Sequence, residues 1–381
     1  MKFRIKKRSA VLAAVNLLCI AGAVVITAVG ASAAKSQSYN NAAERWQNGD
    51  DKTDYAQISC FLPENSAFSS DSLGAVRSGV LNALQTVSIA PEEGKKLCPD
   101  AYSARLGSMQ VKGDLTGQSE AELTAVGGDF FLIHDFRLLD GSFFSDDDVM
   151  QDGAVIDRSL AWELYGSCEI SGMKLNINGT QFYISGVIET PQTKEEQKCA
   201  GELPRAYISY DAATVLCGGS GDFFNNLPDM GGFAGMSGDF SRITCYEILM
   251  PDPVKSYALS SVKKLMEPYS DDIEIIQNNG RFSPEKRVKA AKKLSMSGVR
   301  KTAVAFPFWE NASRIVEFRL SVLYLFRRLL YIIPSVTLIW LIIRGIRVLK
   351  QNRNCLKQTL IQIKNKFARK SAKRSTNEQK S

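Results

Sequence analysis

Two long apolar runs frame this chain. Ala10–Ala34 continues for about 25 residues without a charge, enough at roughly 1.5 Å per residue to cross a hydrocarbon layer of about 30 Å. Leu320–Ile343 is interrupted by Arg327 and Arg328, which leaves Leu329–Ile343 as its strictly apolar part. Spanning then requires both arginines to snorkel outward at one end and Arg344 at the other; a surface-lying amphipathic helix is the alternative.

Between these runs the periodicity is that of a folded α+β domain. Tyr55–Leu62 reads as a strand, Ser70–Val87 as a helix with apolar Leu73, Val76, Val80, Leu81 and Leu84 at helical spacing, and Tyr102–Val111 as a second strand. The pattern recurs as strand Ile243–Met250, helix Val254–Tyr269 and strand Ile273–Gln277. Two such βαβ units predict a split βαβ, ferredoxin-like layer with helices on one face. The stretch separating them carries short strands at Ala154–Ile156, Met173–Ile177, Gln181–Ile188 and Ala206–Ile208, and a short helix at Ser159–Tyr165. Asn178-Gly179 between two apolar runs predicts a tight hairpin, because a type I′ turn needs positive φ at both central positions. These strands are expected to form an inserted small β-rich subdomain. Gly218–Phe240 is glycine-rich and suits either a binding loop or an unstructured one. From Ser283-Pro284-Glu285 the pattern turns helical and basic, with a break or kink expected at Pro307.

Charge sorts the chain into compartments. The formal charge is +7, yet 17 of the 47 basic residues lie in Lys2–Arg8 and Arg344–Ser381, and the remainder is net −9. Basic ends around an acidic middle fit a membrane protein with both termini cytoplasmic and no affinity for nucleic acid. Ala31-Ser32-Ala33 has the form of a signal-peptidase site, but the apolar run is longer than a signal core, so a retained anchor is expected. Six cysteines, Cys60, Cys98, Cys168, Cys199, Cys217 and Cys245, fall in the outside segment and are candidates for up to three disulfides. Ala21, Gly22 and Ala23 belong to a small-residue surface of the first span on which another helix could pack. The basic tail is suited to anionic membrane lipids.

Asp129–Ile188 carries an ordered set of short motifs: Phe130-Phe131, then Leu138-Leu139-Asp140-Gly141-Ser142-Phe143-Phe144 and the acidic turn Asp146-Asp147-Asp148, then the strand Ala154-Val155-Ile156-Asp157. Leu160-Ala161-Trp162-Glu163-Leu164-Tyr165-Gly166, the hairpin Gly172–Gly179 and Ile184-Ser185-Gly186-Val187-Ile188 follow. On these motifs the stretch resembles the MacB-like periplasmic core domain of the MacB/FtsX superfamily of ABC transporter permeases, with Ser142 in place of the usual arginine. The resemblance implies a porter-like layer split around an inserted subdomain. The chain then divides into a cytoplasmic start (1–9), a first transmembrane helix (10–34), a linker (35–53) and a porter-like part (54–128). The inserted subdomain (129–238), the second porter-like part (239–280), a stalk helix (281–319), a second transmembrane helix (320–343) and a basic cytoplasmic tail (344–381) follow. Family permeases continue into several further membrane helices, so transport by this chain alone is not expected.

Catalytic and cofactor signatures are missing from the sequence. It has no phosphate-binding loop, no nucleophile elbow, no zinc-protease helix and no C-x-x-C pair, and its one histidine, His134, lacks an identifiable partner and reads as a structural or surface residue. Asp146–Asp148 lacks the spacing of a calcium loop and reads as a solvated turn. No metal, cofactor or catalytic residue is therefore expected. The expected role is a non-catalytic accessory or divergent permease subunit of an ABC-type export or envelope-remodelling complex, with an ABC-type ATPase or a multi-helix permease subunit as partner. The competing reading is a stand-alone membrane-anchored surface binding or sensor protein.

Overall fold

The computed structural model describes residues 7–47, 54–90, 96–115, 117–218, 242–254, 256–297 and 304–378. Two units are distinguished: residues 1–30 with 322–381, and residues 31–321.

The first unit is a helix pair. α1 (Lys7–Lys35) and the later part of α10 (Phe308–Glu378) contain the two stretches apolar and long enough to cross a membrane, within Ala10–Lys35 and Phe308–Gln351. They run antiparallel: Asn16 meets Thr337, Gly22 meets Leu330, Thr27 meets Arg327 and Gly30 meets Tyr324. Buried Cys19, Ala23 and Gly30 mark the seam at three- and four-residue steps from Asn16, the periodicity of helices packed at a shallow angle. Of the three small residues expected to receive a partner helix, Ala23 is buried and Gly22 half-buried against the chain's own α10, whereas Ala21 is exposed. Arg327 does not simply snorkel: its Nη1 donates to Thr27 Oγ1 at 3.0 Å and its guanidinium lies 5.0 Å from the Tyr324 ring. Arg328 is exposed. At 71 residues α10 is about 105 Å long and continues through the basic tail.

In the second unit α2 (Ala42–Gln47) precedes β1 (Tyr55–Phe61), α3 (Ser70–Thr86), β2 (Asp100–Gly113) and β3 (Gln118–Gly128). The chain continues through α4 (Phe130–Ile133), β4 (Leu138–Gly141), β5 (Gly153–Asp157), α5 (Arg158–Tyr165), β6 (Lys174–Ile177) and β7 (Thr180–Ile188). Next are α6 (Lys194–Ala200), β8 (Arg205–Ser209), α7 (Tyr210–Gly218), β9 (Cys245–Pro251), α8 (Tyr257–Met266), β10 (Glu274–Gln277) and α9 (Pro284–Ser297). All ten strands join in one sheet.

One end of that sheet has the antiparallel order β10-β1-β9-β2, with α3 linking β1 to β2 and α8 linking β9 to β10. The other end closes on itself: β2 pairs β3, then β8, β5, β7 and β6 follow, and β6 returns to β2. This closed six-strand ring, in which β2 and β3 join the strands expected of the inserted small β-rich subdomain, stands in place of a detailed ferredoxin-like layering. The physical reason is the length of β2, whose first residues pair β9 and whose last three pair β6. A bulge between Arg105 and Gly107, with Gly107 at φ +84°, turns the strand from the open sheet into the ring. β3 escapes a pattern reading because its inward positions, Ala121, Leu123 and Ala125, are mostly small and its other positions include Glu120 and Glu122.

The central strands β1 and β9 are buried on both faces. Ile58, Cys60, Tyr246 and Ile248 join the α3 and α8 core with Val76, Val80 and Val262, and this core continues into the ring. The alternate residues, Phe61, Cys245 and Leu249, face a second core closed by α2, α4 and Phe308-Trp309 at the start of α10. The expected hairpin is present: Asn178 and Gly179 take φ of +45° and +92°, joining β6 to β7. The expected stalk is interrupted. Residues 304–307 are non-helical between α9 and α10, and Pro307 supplies the carbonyl that accepts the first helical bond from Asn311. The glycine-rich stretch 219–240 lies outside the described residues.

Asp157 caps α5, its Oδ1 accepting the Leu160 N–H at 2.9 Å. Burial pushes its carboxyl up to about 6, although the helix-end bond and nearby Arg205 pull the other way. The folded state therefore retains a proton that the unfolded chain releases near pH 4. This stabilisation is complete below that pH and is lost as pH rises through about 6, a change on the order of 3 kcal/mol. Asp157→Asn keeps the cap acceptor and removes the titration. The expected result, from chemical unfolding in detergent at pH 4.5 and 7, is that the variant gains on the wild type at the higher pH; an unchanged difference contradicts the assignment.

Candidate functional site

The second core contains a chain of polar side chains that the apolar pattern did not reveal. It starts at His134, whose Nε2 is 2.6 Å from Glu247 Oε2 and whose ring packs 4.2 Å from Phe130 and 4.8 Å from Trp309. Ser59 donates to Glu247 Oε1 at 2.5 Å and accepts from Asn278 Nδ2 at 2.9 Å. Asn278 Oδ1 in turn accepts from Arg281 Nη1 at 3.2 Å. Strand alternation places Ser59 and Glu247 on the same face, and their register makes them direct cross-strand partners.

Arg281 is the hub. Only 2% exposed, it forms a two-pronged pair with Glu310, both bonds 2.7 Å, and reaches Glu317 at 2.8 Å and Asn40 Oδ1 at 3.3 Å. Glu310 also pairs with Arg314, and Glu317 with Arg287. Asn40 donates to Ser313 Oγ at 2.7 Å, and that hydroxyl donates to Gln37 Oε1. Desolvation alone would lower the Arg281 pKa; the two glutamates reverse this and hold it above its ordinary value. A buried pair of this kind is weak evidence for added stability, but it imposes one geometry, since each charge left alone would be costly. The junction ties residues 278–281 after β10, the turn at Ser38–Asn40 and the first three turns of α10 into one unit. Glu310, Ser313, Glu317 and Ser321 form a polar stripe at helical spacing, the one sequence signal that could have pointed to the α10 side of the site and that the reading of the sequence missed.

The residues singled out from sequence are placed differently. His134, read as a structural or surface residue, is fully buried, with Glu247 as its partner. Asp146 anchors its turn, accepting from Gly128 N at 2.6 Å and from Tyr102 Oη at 3.3 Å, and no cluster of metal-binding side chains occurs among the described residues. Cys60, Cys98, Cys168, Cys199, Cys217 and Cys245 are free thiols, so the disulfide framework considered from sequence is not what the structure shows. Cys60 and Cys245 illustrate why. They lie on paired strands offset by one residue, so one faces the α3 and α8 core and the other the opposite core. Burial raises the pKa of Cys98 to about 12 and that of Cys217 to about 11, as expected of inert interior thiols.

Residues 17–224 match the model of the MacB-like periplasmic core domain, which is more than half of the chain. The chain belongs to this family. None of the curated proteins matches it. Among solved structures it is similar to the extracellular domain of the noncanonic ABC-type transporter YknZ from Gram-positive bacteria, at 13% identity and a TM-score of 0.37, covering 58% of this chain and 99% of that one. It is also similar to the periplasmic region of MacB from Actinobacillus actinomycetemcomitans, at 17% identity and a TM-score of 0.36, covering 64% and 94%. Family membership makes this a membrane-associated, transporter-type chain with an extracytoplasmic core domain. The family is not a catalytic one.

The structure explains why the family-like motif around Asp140-Gly141 takes the form it does. Asp140 Oδ2 accepts the N–H groups of Ser171 at 2.8 Å and Ile170 at 2.9 Å, which holds its carboxyl below the ordinary range. Gly141 has φ of +73°, and a Cβ there would sit 2.1 Å from the Ser185 carbonyl oxygen, so only glycine fits.

Proposed function

We propose that this MacB-like chain is a non-catalytic accessory or divergent permease subunit of an ABC-type export or envelope-remodelling complex. Both termini lie in the cytoplasm and the 31–321 unit lies outside, its β10-β1-β9-β2 part serving as the porter-like layer. The observation that carries this reading is the buried Arg281–Glu310–Glu317 junction. It locks the sheet to the first three turns of α10 within the 31–321 unit, so this start of the helix and the outside sheet form one body on which a partner could act. The basic flanks at Lys2–Arg8 and Arg344–Arg353 support the orientation. Energy comes from a partner ATPase, because the sequence contains no phosphate-binding loop.

The test is affinity purification from native membranes followed by mass spectrometry and a nucleotide hydrolysis assay. The expected result is co-purification of an ABC-type ATPase or a multi-helix permease, with no hydrolysis by the isolated chain. Hydrolysis by the isolated chain, or recovery free of any such partner, overturns the assignment.

A further inference from the structure

A cavity of about 220 Å³ opens on the same face of the sheet as the second core. Its walls include positions on β2, β3 and β8 (Ser103, Arg105, Glu122, Thr124 and Arg205), and residues 305–309 with Asn311 close the other side. Two features make it more than a packing defect. The first is an uncompensated charge. Arg205 is 7% exposed, yet among the described residues no carboxylate forms an ion pair with it; its guanidinium donates to the Ala200 carbonyl and lies 4.3 Å from the Phe308 ring. Of the nearby carboxylates, Glu122 pairs with Arg105, and Asp157 accepts the backbone N–H groups of Leu160 and Arg205, attracting the Arg205 charge without forming an ion pair with it. A second lining guanidinium, Arg242, donates to the backbone oxygen of Glu64 and also forms no ion pair among the described residues.

The second feature is a set of unused donors. Trp309, 5% exposed and part of the lining, has an indole N–H without a hydrogen-bond partner. α10 begins at this wall, and Pro307 at its start has no side-chain acceptor for the first free N–H groups, which carry the positive end of the helix dipole. A buried, unpaired guanidinium costs several kcal/mol unless something of opposite charge meets it. The remaining lining, Phe306, Phe308 and the Trp309 ring, is apolar and aromatic.

We propose that this cavity binds an amphiphilic anion, with a carboxylate or phosphate head against Arg205 and an aromatic or short alkyl body on Phe306, Phe308 and Trp309. The volume equals that of about seven waters at roughly 30 Å³ each, so it admits a compact acid or the head and first carbons of a lipid. Because one wall is the first turn of α10, an occupant also holds that helix against β8.

The test uses the full chain in phosphatidylcholine nanodiscs and reads quenching of tryptophan fluorescence by bromine-bearing probes: 4-bromophenylacetate, 4-bromophenyl phosphate and the uncharged 4-bromobenzyl alcohol. Both anions are expected to quench saturably, and Trp309→Phe to abolish the saturable part. Arg205→Gln is expected to weaken both anions roughly tenfold or more while leaving the alcohol unchanged. The same variant keeps or raises the melting temperature, because it removes an unpaired buried charge, which a purely structural role for Arg205 would not allow. Thr124→Leu narrows the cavity without touching the guanidinium and is expected to block both anions. Competition by phosphatidylglycerol in the nanodisc identifies a lipid head as the native occupant, and lack of competition a soluble acid; either result upholds the site. No saturable quenching in the wild type, equal quenching by the alcohol, or undiminished anion binding in Arg205→Gln overturns it.

Discussion

Replacing Arg281 with Met should lower the unfolding free energy of the outside unit by about 3 kcal/mol, the cost of breaking a buried ion pair from one side. For a domain of this size that is a drop in melting temperature on the order of 10 °C. The loss arises mainly at Glu310, 2% exposed, which keeps only Arg314 as a partner, and at the Asn40 and Asn278 carbonyls, which lose a donor. Glu317 suffers less because Arg287 remains 2.6 Å away. The double variant Arg281→Met/Glu310→Met should recover most of the loss. It removes both buried charges together, leaving Arg314 with Glu274 and Glu317 with Arg287. Thermal unfolding of the detergent-solubilised chain, monitored by circular dichroism, is the measurement. A double variant no more stable than the single one would show that the network acts through Glu317 instead.

The helix pair gives the second large effect. A Cβ on Gly30 would sit 2.1 Å from Tyr324 Oη and under 3 Å from two ring carbons, and a rigid ring cannot fold away as an aliphatic tip can. Gly30→Leu should therefore force the helices apart, at a cost of roughly 1–3 kcal/mol. Gly22→Ala meets only the Leu330 methyl at 3.2 Å and should be tolerated, and Ala21→Leu, on the exposed face, should have no effect. The readout is oxidative cross-linking between cysteines introduced at Asn16 and Thr337, whose side chains meet across the pair, in a background lacking Cys19. Cross-linking reduced several-fold by Gly30→Leu alone is the expected pattern. Equal loss with Ala21→Leu would place the packing face elsewhere.

The two apolar helices, the two βαβ units and the Asn178-Gly179 hairpin were legible in the sequence because each depends on local chemistry: an uncharged run, a periodicity of 2 or 3.6, and a turn that needs positive φ. The family-like motif at Asp140-Gly141 was legible for the same reason, since its role is fixed by its own backbone. Ring closure was not, because it depends on one long strand pairing with β9 at one end and β6 at the other, and on the bulge at Gly107 that aims it. Nor was the fate of the cysteines, whose even number suggested pairs until the register set Cys60 and Cys245 on opposite faces. The buried junction joins residues 40, 281 and 310, which only tertiary packing brings together, and the charge of Arg205 gains its meaning only once the fold removes it from water and leaves it without an ion pair among the described residues. Sequence determined the elements and which stretches are apolar enough to span; long-range pairing decided which faces meet, because that choice depends on register and burial across hundreds of residues.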